Sequence, residues 1–179
     1  MSKLLLKIII ILGLMQIACG GSQKTPADIK DRVAWLDARS ALPVFPFGTN
    51  PIYLYFHSEG SPICSSMTAN VFDRPEIIEY MNKHITSISV MPEILDSTDF
   101  MGRRISSGDL IKVFQVEGYP SHYFFNKQGQ LKGARTGYIG LREFKQLLIY
   151  ISEGYVEKMD FGSFLGTDGA DIDTVWGKF

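Results

Sequence analysis

The chain has 179 residues, of which 45% are hydrophobic and 12% aromatic, enough for one domain with a substantial core. Its 18 basic and 19 acidic residues give a net charge of −1 and form no basic patch or charge run, so we expect no nucleic-acid partner. The chain has only two cysteines, Cys19 and Cys64.

The first 18 residues are typical of a secretion signal. Two lysines, Lys3 and Lys7, precede an apolar run at 8–12, and residues 17 and 18 end the segment with a small-residue cleavage site. The run is too short for a comfortable membrane span, which needs about 20 apolar residues. The sequence therefore predicts a leader that is removed on export.

Residues 16–20 (QIACG) resemble a bacterial lipobox, in which the cysteine is diacylated on sulfur and becomes the new N-terminus. Gln16 departs from the leucine that is usual three places before the cysteine. The resemblance implies a lipid anchor at Cys19, a flexible tether over 19–27, and a periplasm-facing position in the bacterial cell envelope. The alternative is an ordinary cleaved signal that leaves Cys19 as a free cysteine.

Export makes the second cysteine informative. Loss of the leader removes two lysines and no acids, which leaves 16 basic and 19 acidic residues and a net charge of −3. Disulfides persist outside the cytoplasm, yet with Cys19 lipidated the chain can form no internal disulfide. Cys64 is then a free or intermolecularly pairing thiol, or else a buried, inert residue.

The first predicted elements precede Cys64. Apolar residues at helical spacing predict an N-terminal helix over 28–42, ending before Pro43. A loop over 43–51 leads into the continuous apolar run 52–57, which predicts a buried central strand.

A turn over 58–62 follows this strand. Ser61 is predicted to cap the next helix, and Pro62 suits its first position. We expect this helix to break near residue 73 and a new helical segment to begin at Pro75.

The middle of the chain is less regular. Residues 85–91 predict a second strand, whereas 92–104 lack periodicity and are interpreted as a loop. Residues 107–116 predict a short amphipathic helix whose inward-facing side chains are Leu110, Ile111, Phe114 and Val116.

The C-terminal part begins with two predicted strands, 121–126 and 130–135, joined by a hairpin turn with Gly129 placed for a positive φ angle. Residues 141–151 predict a last strong helix. In the extension over 155–179 one short docking helix is expected, and the apolar side chains expected to pack on the domain are Phe161, Phe164, Leu165 and Trp176.

This order of elements gives a βαβ unit followed by a β-hairpin and a covering helix. The predicted fold class is α/β, with a mixed central sheet and helices on both faces. The domain spans 28–154, with an extra N-terminal helix and the C-terminal extension.

The element order, the turn at residues 61–64 and the sequence Gly118, Tyr119, Pro120 together resemble the thioredoxin superfamily. The resemblance runs from about residue 29 to 165 and is strongest to exported thioredoxin-like proteins allied to sulfur-oxidation thioredoxins and to the periplasmic thioredoxin domain of the membrane thiol electron transporter. Other segments of this chain also resemble the family's sequence pattern: residues 53–56, Cys64 with Met67, residues 71–81, residues 116–120, and Gly137 with Tyr138.

This family carries two thiols in a CxxC turn. The first, at a helix N-terminus, is ionised and attacks a client disulfide, and the second resolves the mixed disulfide. In this chain the two positions hold Ser61 and Cys64. Because a serine hydroxyl cannot form a stable mixed disulfide, the resemblance implies a redox site whose dithiol turnover is lost or disabled.

The family also implies a cis-proline before the third strand, which is Pro120 here; X-Pro bonds adopt cis at modest cost. An ordinary turn proline is the alternative. In the family this proline lies against the CxxC turn, where an extended client segment pairs with the backbone. The implied client-binding residues are Pro62, Ile63, Tyr119, Pro120 and Ser121.

Three interpretations of Ser61 remain open. The serine is natural and the domain is a client-binding or chaperone-like module; or it stands in place of a natural cysteine; or Cys64 keeps monothiol activity, such as glutathionylation or mixed disulfide formation. The expected partners are a protein thiol or disulfide client and a membrane or periplasmic redox partner. We expect a monomer without a cofactor.

A copper site is a further hypothesis. His57, Cys64 and either Met67 or His122 could approach one another. One thiolate without paired-ligand spacing makes a poor metal site, so no metal is expected. His57 is interpreted as a polar group that lines the turn.

Overall fold

The computed structural model describes residues 31–46 and 48–176. The leader, Cys19 and the tether lie outside these residues, so the expectations about them stay predictions. In chain order the elements are β1 (Leu36–Asp37), α1 (Ala38–Ala41), β2 (Ile52–Phe56), α2 (Pro62–Met67), α3 (Pro75–His84), β3 (Thr86–Val90), α4 (Pro92–Leu95), β4 (Ser97–Phe100), β5 (Arg103–Ser106), α5 (Ser107–Phe114), β6 (Ser121–Phe125), β7 (Leu131–Thr136), α6 (Leu141–Ser152), α7 (Phe161–Leu165) and α8 (Ile172–Trp176).

Five strands form one mixed sheet in the order β1, β3, β2, β6, β7. The central strand β2 is parallel to β3 and antiparallel to β6, so Tyr55 lies opposite Ser89 on one side and His122 on the other. The β6–β7 hairpin completes the sheet, and Gly129 in its turn has a φ of +74°. The predicted mixed sheet, βαβ unit and hairpin are confirmed.

Strand β2 is buried on both faces. Tyr53 and Tyr55 belong to a core that contains buried residues of α2, α3, α6 and α7, whereas Ile52, Leu54 and Phe56 belong to a second core with residues of α1, α4 and α5. Successive side chains of a strand point to opposite faces. Helices therefore cover both faces of the sheet, as predicted.

The helix that begins at Pro62 breaks where the sequence predicts. After α2 the chain makes a π-helical turn at Thr68–Phe72, and α3 begins at Pro75. Proline suits a first helical position because that residue's missing N–H has no intrahelical partner. Met67 of α2 and Val71 and Phe72 of the π-helical turn belong to the same core as Tyr53 and Tyr55.

The helix predicted over 28–42 is wrong for most of its described residues, since only the short helix α1 is found there. Residues 31–35 are not helical, and Leu36–Asp37 pair in parallel with Ile88 and Ser89 of β3. Val33 and Trp35 pack on the core with the two-residue spacing of an extended chain. Pairing with the edge of β3 determines the extended conformation here, and this tertiary contact cannot be deduced from the spacing of apolar residues.

The loop predicted for 92–104 is also wrong. This segment contains α4 and the β4–β5 hairpin, whose turn includes Met101 and Gly102 at positive φ. Most side chains of the hairpin are exposed, with Thr98 buried and Phe100 and Ile105 packed against the second core. Because so few side chains of this segment face inward, its sequence has no apolar periodicity that would predict the hairpin.

The C-terminal extension packs on the α6 face, as predicted for Phe161, Phe164 and Trp176. The prediction is wrong for Leu165, which is 45% exposed. The extension is also more helical than expected, with α7, α8 and short 3-10 turns at Tyr155–Glu157 and Asp168–Ala170. None of the helices in the described part of the chain is both long and apolar enough to traverse a membrane.

Candidate functional site

The predicted site residues gather at one edge of the sheet. The parallel strands β2 and β3 both end there, and β6 begins there with Ser121 opposite Phe56. The backbone N–H of His57 donates to the Val90 carbonyl at 3.0 Å, which joins the two strand ends. The turn that carries Ser61, the start of α4 and the segment before β6 therefore converge.

Ser61 is the N-cap of α2. Its backbone is extended, with φ −85° and ψ 116°, and its Oγ accepts a hydrogen bond from the Cys64 N–H at 3.3 Å. Serine is among the preferred caps because its side chain satisfies a backbone donor that the helix leaves unpaired. Position 61 thus has a structural role that needs no thiol.

Cys64 lies on the inward face of α2 and is only 4% exposed. It is a free cysteine. Met67 and Val71, three and seven residues later, are buried in the same direction. Its neighbour Ile63 is 48% exposed, so the turn presents an apolar side chain to solvent while the sulfur points inward.

Pro120 follows a cis peptide bond and is buried. The Ser121 hydroxyl donates to the Gly118 carbonyl at 2.7 Å, and the Pro120 carbonyl accepts from the Gly137 N–H at 2.8 Å. These bonds fix the segment before β6.

Tyr119 is half-buried and faces the same edge of the sheet. Burial raises the pKa of Tyr119, and the nearby Glu93 and Cys64 charges raise it further.

Tyr55 is a site residue that the sequence analysis did not single out. Its ring is enclosed by four aromatic neighbours at centroid distances of 5.0–5.4 Å: Trp35, His57, Phe72 and His122. Its hydroxyl is buried and has no hydrogen bond of good geometry within the described residues. Burial raises the pKa of Tyr55, and the adjacent Cys64 raises it further. Alternation along β2 puts Tyr53 and Tyr55 on one face of the strand, but only the fold shows that this face packs beneath α2.

His57 and Glu93 bring titratable side chains to the same edge. The His57 Nε2 atom lies 2.7 Å from Ser89 Oγ. Burial lowers the pKa of His57, and the Glu93 carboxylate acts in the opposite direction. Glu93 belongs to α4, so interpreting 92–104 as a loop hid its place in the site.

His122 lies behind this edge and is fully buried. Its Nε2 must donate to the Gly137 carbonyl at 2.9 Å, because a carbonyl can only accept; Nδ1 therefore accepts from the Tyr53 hydroxyl at 2.6 Å. Burial lowers the pKa of His122 to about 4. Both ring nitrogens are engaged in the fold.

The potential metal ligands do not form a cluster. Among residues 31–46 and 48–176, no group of three or more His, Cys, Asp or Glu side chains is arranged to hold a metal ion. His57 instead pairs with Ser89 and lines a cavity of about 290 Å³ together with Trp35, Tyr55 and Thr68. His57 thus lines the space beneath the turn.

Comparison with known proteins addresses the fold. A family model described as a thioredoxin-like domain matches residues 40–152. No curated protein sequence matches the chain. A thioredoxin-fold protein from Helicobacter pylori is similar with a TM-score of 0.66 and 18% identity, covering 85% of this chain and 96% of its own. This similarity shows the predicted thioredoxin-like fold and says nothing of activity.

Two further solved structures are similar over shorter stretches. A thioredoxin from Thermus thermophilus has 22% identity and a TM-score of 0.43, covering 55% of this chain and 71% of its own. The exposed lipoprotein thioredoxin from Streptococcus pneumoniae has 19% identity and a TM-score of 0.43, covering 56% of this chain and 84% of its own.

Proposed function

The chain belongs to the thioredoxin-like domain family, because the family match spans more than half of the chain. We propose that it is an exported protein of the thiol–disulfide redox type whose dithiol turnover is disabled. The observation that carries the proposal is the geometry of the turn. Ser61 caps the helix at the first thiol position, and Cys64 is buried at the second.

The chemistry explains why turnover is disabled. In dithiol exchange an accessible thiolate attacks a disulfide, and a second thiol three residues away displaces the client. The Ser61 hydroxyl cannot perform the first step. A client attached to Cys64 would find no second thiol in the turn to release it.

Insulin reduction by dithiothreitol tests this proposal. We expect the unaltered chain to match the rate of dithiothreitol alone and Ser61→Cys to accelerate precipitation of the insulin B chain. The matched control is the double variant Ser61→Cys, Cys64→Ala, which should lose the gain. Activity in the unaltered chain would overturn the argument about Ser61, and inactivity of Ser61→Cys would overturn the redox assignment.

A client-binding module without catalysis is the second candidate. It is supported by the exposed Ile63 side chain of α2, and by the half-buried Tyr119 and the cis Tyr119–Pro120 bond in the segment before β6. The proposed client surface consists of Pro62, Ile63, Tyr119, Pro120 and Ser121. Binding of a reduced, carboxymethylated polypeptide that weakens in Ile63→Ser, together with an inactive Ser61→Cys variant, would favour this function.

The finer kinship and the partners rest on the sequence resemblance. We propose a relationship to sulfur-oxidation-associated thioredoxins and to the thioredoxin domain of the membrane thiol electron transporter. The corresponding partners are a protein thiol or disulfide client and a membrane or periplasmic redox protein, with the chain acting as a monomer. Co-purification of a client through a mixed disulfide with Cys64, lost in Cys64→Ala, would support such a partner.

Anchoring at Cys19 is a separate proposal. It is supported by the leader-like residues 1–18 and the lipobox-like residues 16–20. The domain over 28–154 would then face the periplasm on a short tether. The mass of the mature N-terminal peptide tests this, since a free thiol at Cys19 would refute lipidation and Cys19→Ala should release the protein from the membrane fraction.

A further inference from the structure

The unpaired hydroxyl of Tyr55 needs a physical explanation. Tyr55 is 3% exposed, and its hydroxyl has no hydrogen bond of good geometry among the described residues. A buried hydroxyl without a partner is unfavourable for folding, and such groups are rare in native structures. A site where the group gains a partner during function would account for it.

The fold aims this hydroxyl at Cys64. Tyr55 lies on the face of β2 that packs against the inward side of α2 and the π-helical turn, through Met67, Val71 and Phe72. Aromatic contacts on several sides hold the ring in place, including an edge contact with Phe72 at 5.0 Å and a stacked contact with Trp35 at 5.4 Å. The ring is therefore held in place, and its hydroxyl lies adjacent to Cys64.

We propose that Tyr55 is a positioning residue for Cys64, its hydroxyl donating a hydrogen bond to the sulfur when that sulfur is a thiolate. This deepens the proposed function, on which it rests, because it gives the single thiol a chemistry of its own. The Cys64 thiolate attacks one sulfur of a disulfide RS–SR. The S–S bond of RS–SR breaks, a Cys64–SR bond forms, and the departing RS⁻ takes a proton; Cys64 is oxidised and one RS is reduced.

Other polar groups lie near Cys64 or near the Tyr55 ring. Tyr119 faces Cys64 from the segment before β6, whereas His57 and His122 contact the Tyr55 ring. The two histidines have lowered pKa values because they are buried, so they are neutral at pH 7. Glu93 of α4 adds a negative charge, which disfavours a second anion. Among these groups the Tyr55 hydroxyl is the one that is buried, adjacent to Cys64 and without another partner in the described part of the chain.

The test is the pH dependence of Cys64 alkylation in the full chain. The probe is iodoacetamide, and the reaction is followed by mass spectrometry on the tryptic peptide of residues 40–83, which separates Cys64 from Cys19. We expect Tyr55→Phe to move the rate profile upward by about one pH unit, so that alkylation near neutral pH is about tenfold slower. The matched control is Tyr80→Phe, which removes a buried hydroxyl bonded to Ser152 and should leave the profile in place. An unmoved profile in Tyr55→Phe, or an equal shift in both variants, would overturn the proposal.

A second measurement decides the question if Tyr55→Phe does not fold. Tyrosine labelled with ¹³C at Cζ is introduced into Tyr119→Phe, because Tyr119 also faces Cys64. One buried tyrosine signal should move with the alkylation profile and stay still over that range once Cys64→Ala is added. No such signal would overturn the proposal. Neither readout involves insulin reduction, so failure of the redox assignment and failure of the Tyr55 role are distinguishable.

Discussion

The Nδ1 atom of His122 lies 2.6 Å from the Tyr53 hydroxyl, and both side chains are fully buried in the centre of the sheet. Since Nε2 donates to the Gly137 carbonyl, the neutral ring satisfies both neighbours. A protonated ring would have a donor at Nδ1 and no acceptor for the Tyr53 proton. The fold therefore holds His122 in its neutral form.

We expect this pair to make the fold sensitive to acid. The pKa of His122 is lowered to about 4 in the fold, against 6.5 for the unperturbed side chain. A group with a lowered histidine pKa contributes its full stability above pH 6.5, loses it as the pH falls from 6.5 to about 4, and contributes none below. The size of the effect is about 3 kcal/mol.

Urea unfolding at pH 7 and pH 4 measures the effect. His122→Gln keeps an amide donor and a carbonyl acceptor but does not titrate, so its loss of stability on acidification should be smaller by about 3 kcal/mol. The matched control is His84→Gln, at a less buried histidine. Equal acid sensitivity in wild type and His122→Gln would contradict the prediction.

Glu93 is expected to raise the pKa of His57. The pKa of His57 is lowered by burial, and the Glu93 carboxylate partly reverses this by favouring the charged ring. Removing the charge in Glu93→Gln should therefore lower the pKa of His57 further, which NMR titration of the imidazole signals measures. Glu59→Gln removes a carboxylate from the nearby turn and should leave the titration unchanged. An unchanged pKa of His57 in Glu93→Gln would show that the carboxylate does not act on the ring.

Ser61 should be important for stability whatever its role in redox chemistry. Ser61→Ala removes the acceptor for the Cys64 N–H and is expected to lower the free energy of unfolding by about 1 kcal/mol. Ser61→Asp retains a capping oxygen and should stay close to wild type. Chemical denaturation compares the three proteins. If Ser61→Ala is as stable as Ser61→Asp, the cap does not contribute.

The parts of the fold that the sequence predicts are those with strong local signals. The apolar run of β2, the serine cap followed by Pro62, and Gly129 in the hairpin each specify their element without reference to distant residues. Strand β1 has only two residues and depends on pairing with β3, and the β4–β5 hairpin exposes most of its side chains. Neither leaves a periodic pattern in the chain.

The same distinction applies to the site. Ser61, Cys64 and Pro120 could be predicted to lie near one another because their spacing resembles that of a known family. Tyr55 could not, since its role depends on which face of β2 packs beneath α2 and on an unpaired hydroxyl. Glu93 was hidden because α4 has only four residues and lies in a segment without periodicity.

The C-terminal extension offers a test of docking with adjacent residues. Phe164 is fully buried in the core on the α6 face and contacts Tyr150 at 5.3 Å and Tyr155 at 4.9 Å between ring centroids, whereas Leu165 is 45% exposed. Phe164→Ala removes a buried ring and should lower the free energy of unfolding by about 3–5 kcal/mol. Leu165→Ala, on the same short helix, should cost less than about 1 kcal/mol because little buried surface is lost. Thermal and urea unfolding of both variants measure the difference, and similar losses in the two would mean that α7 does not pack on the domain through Phe164.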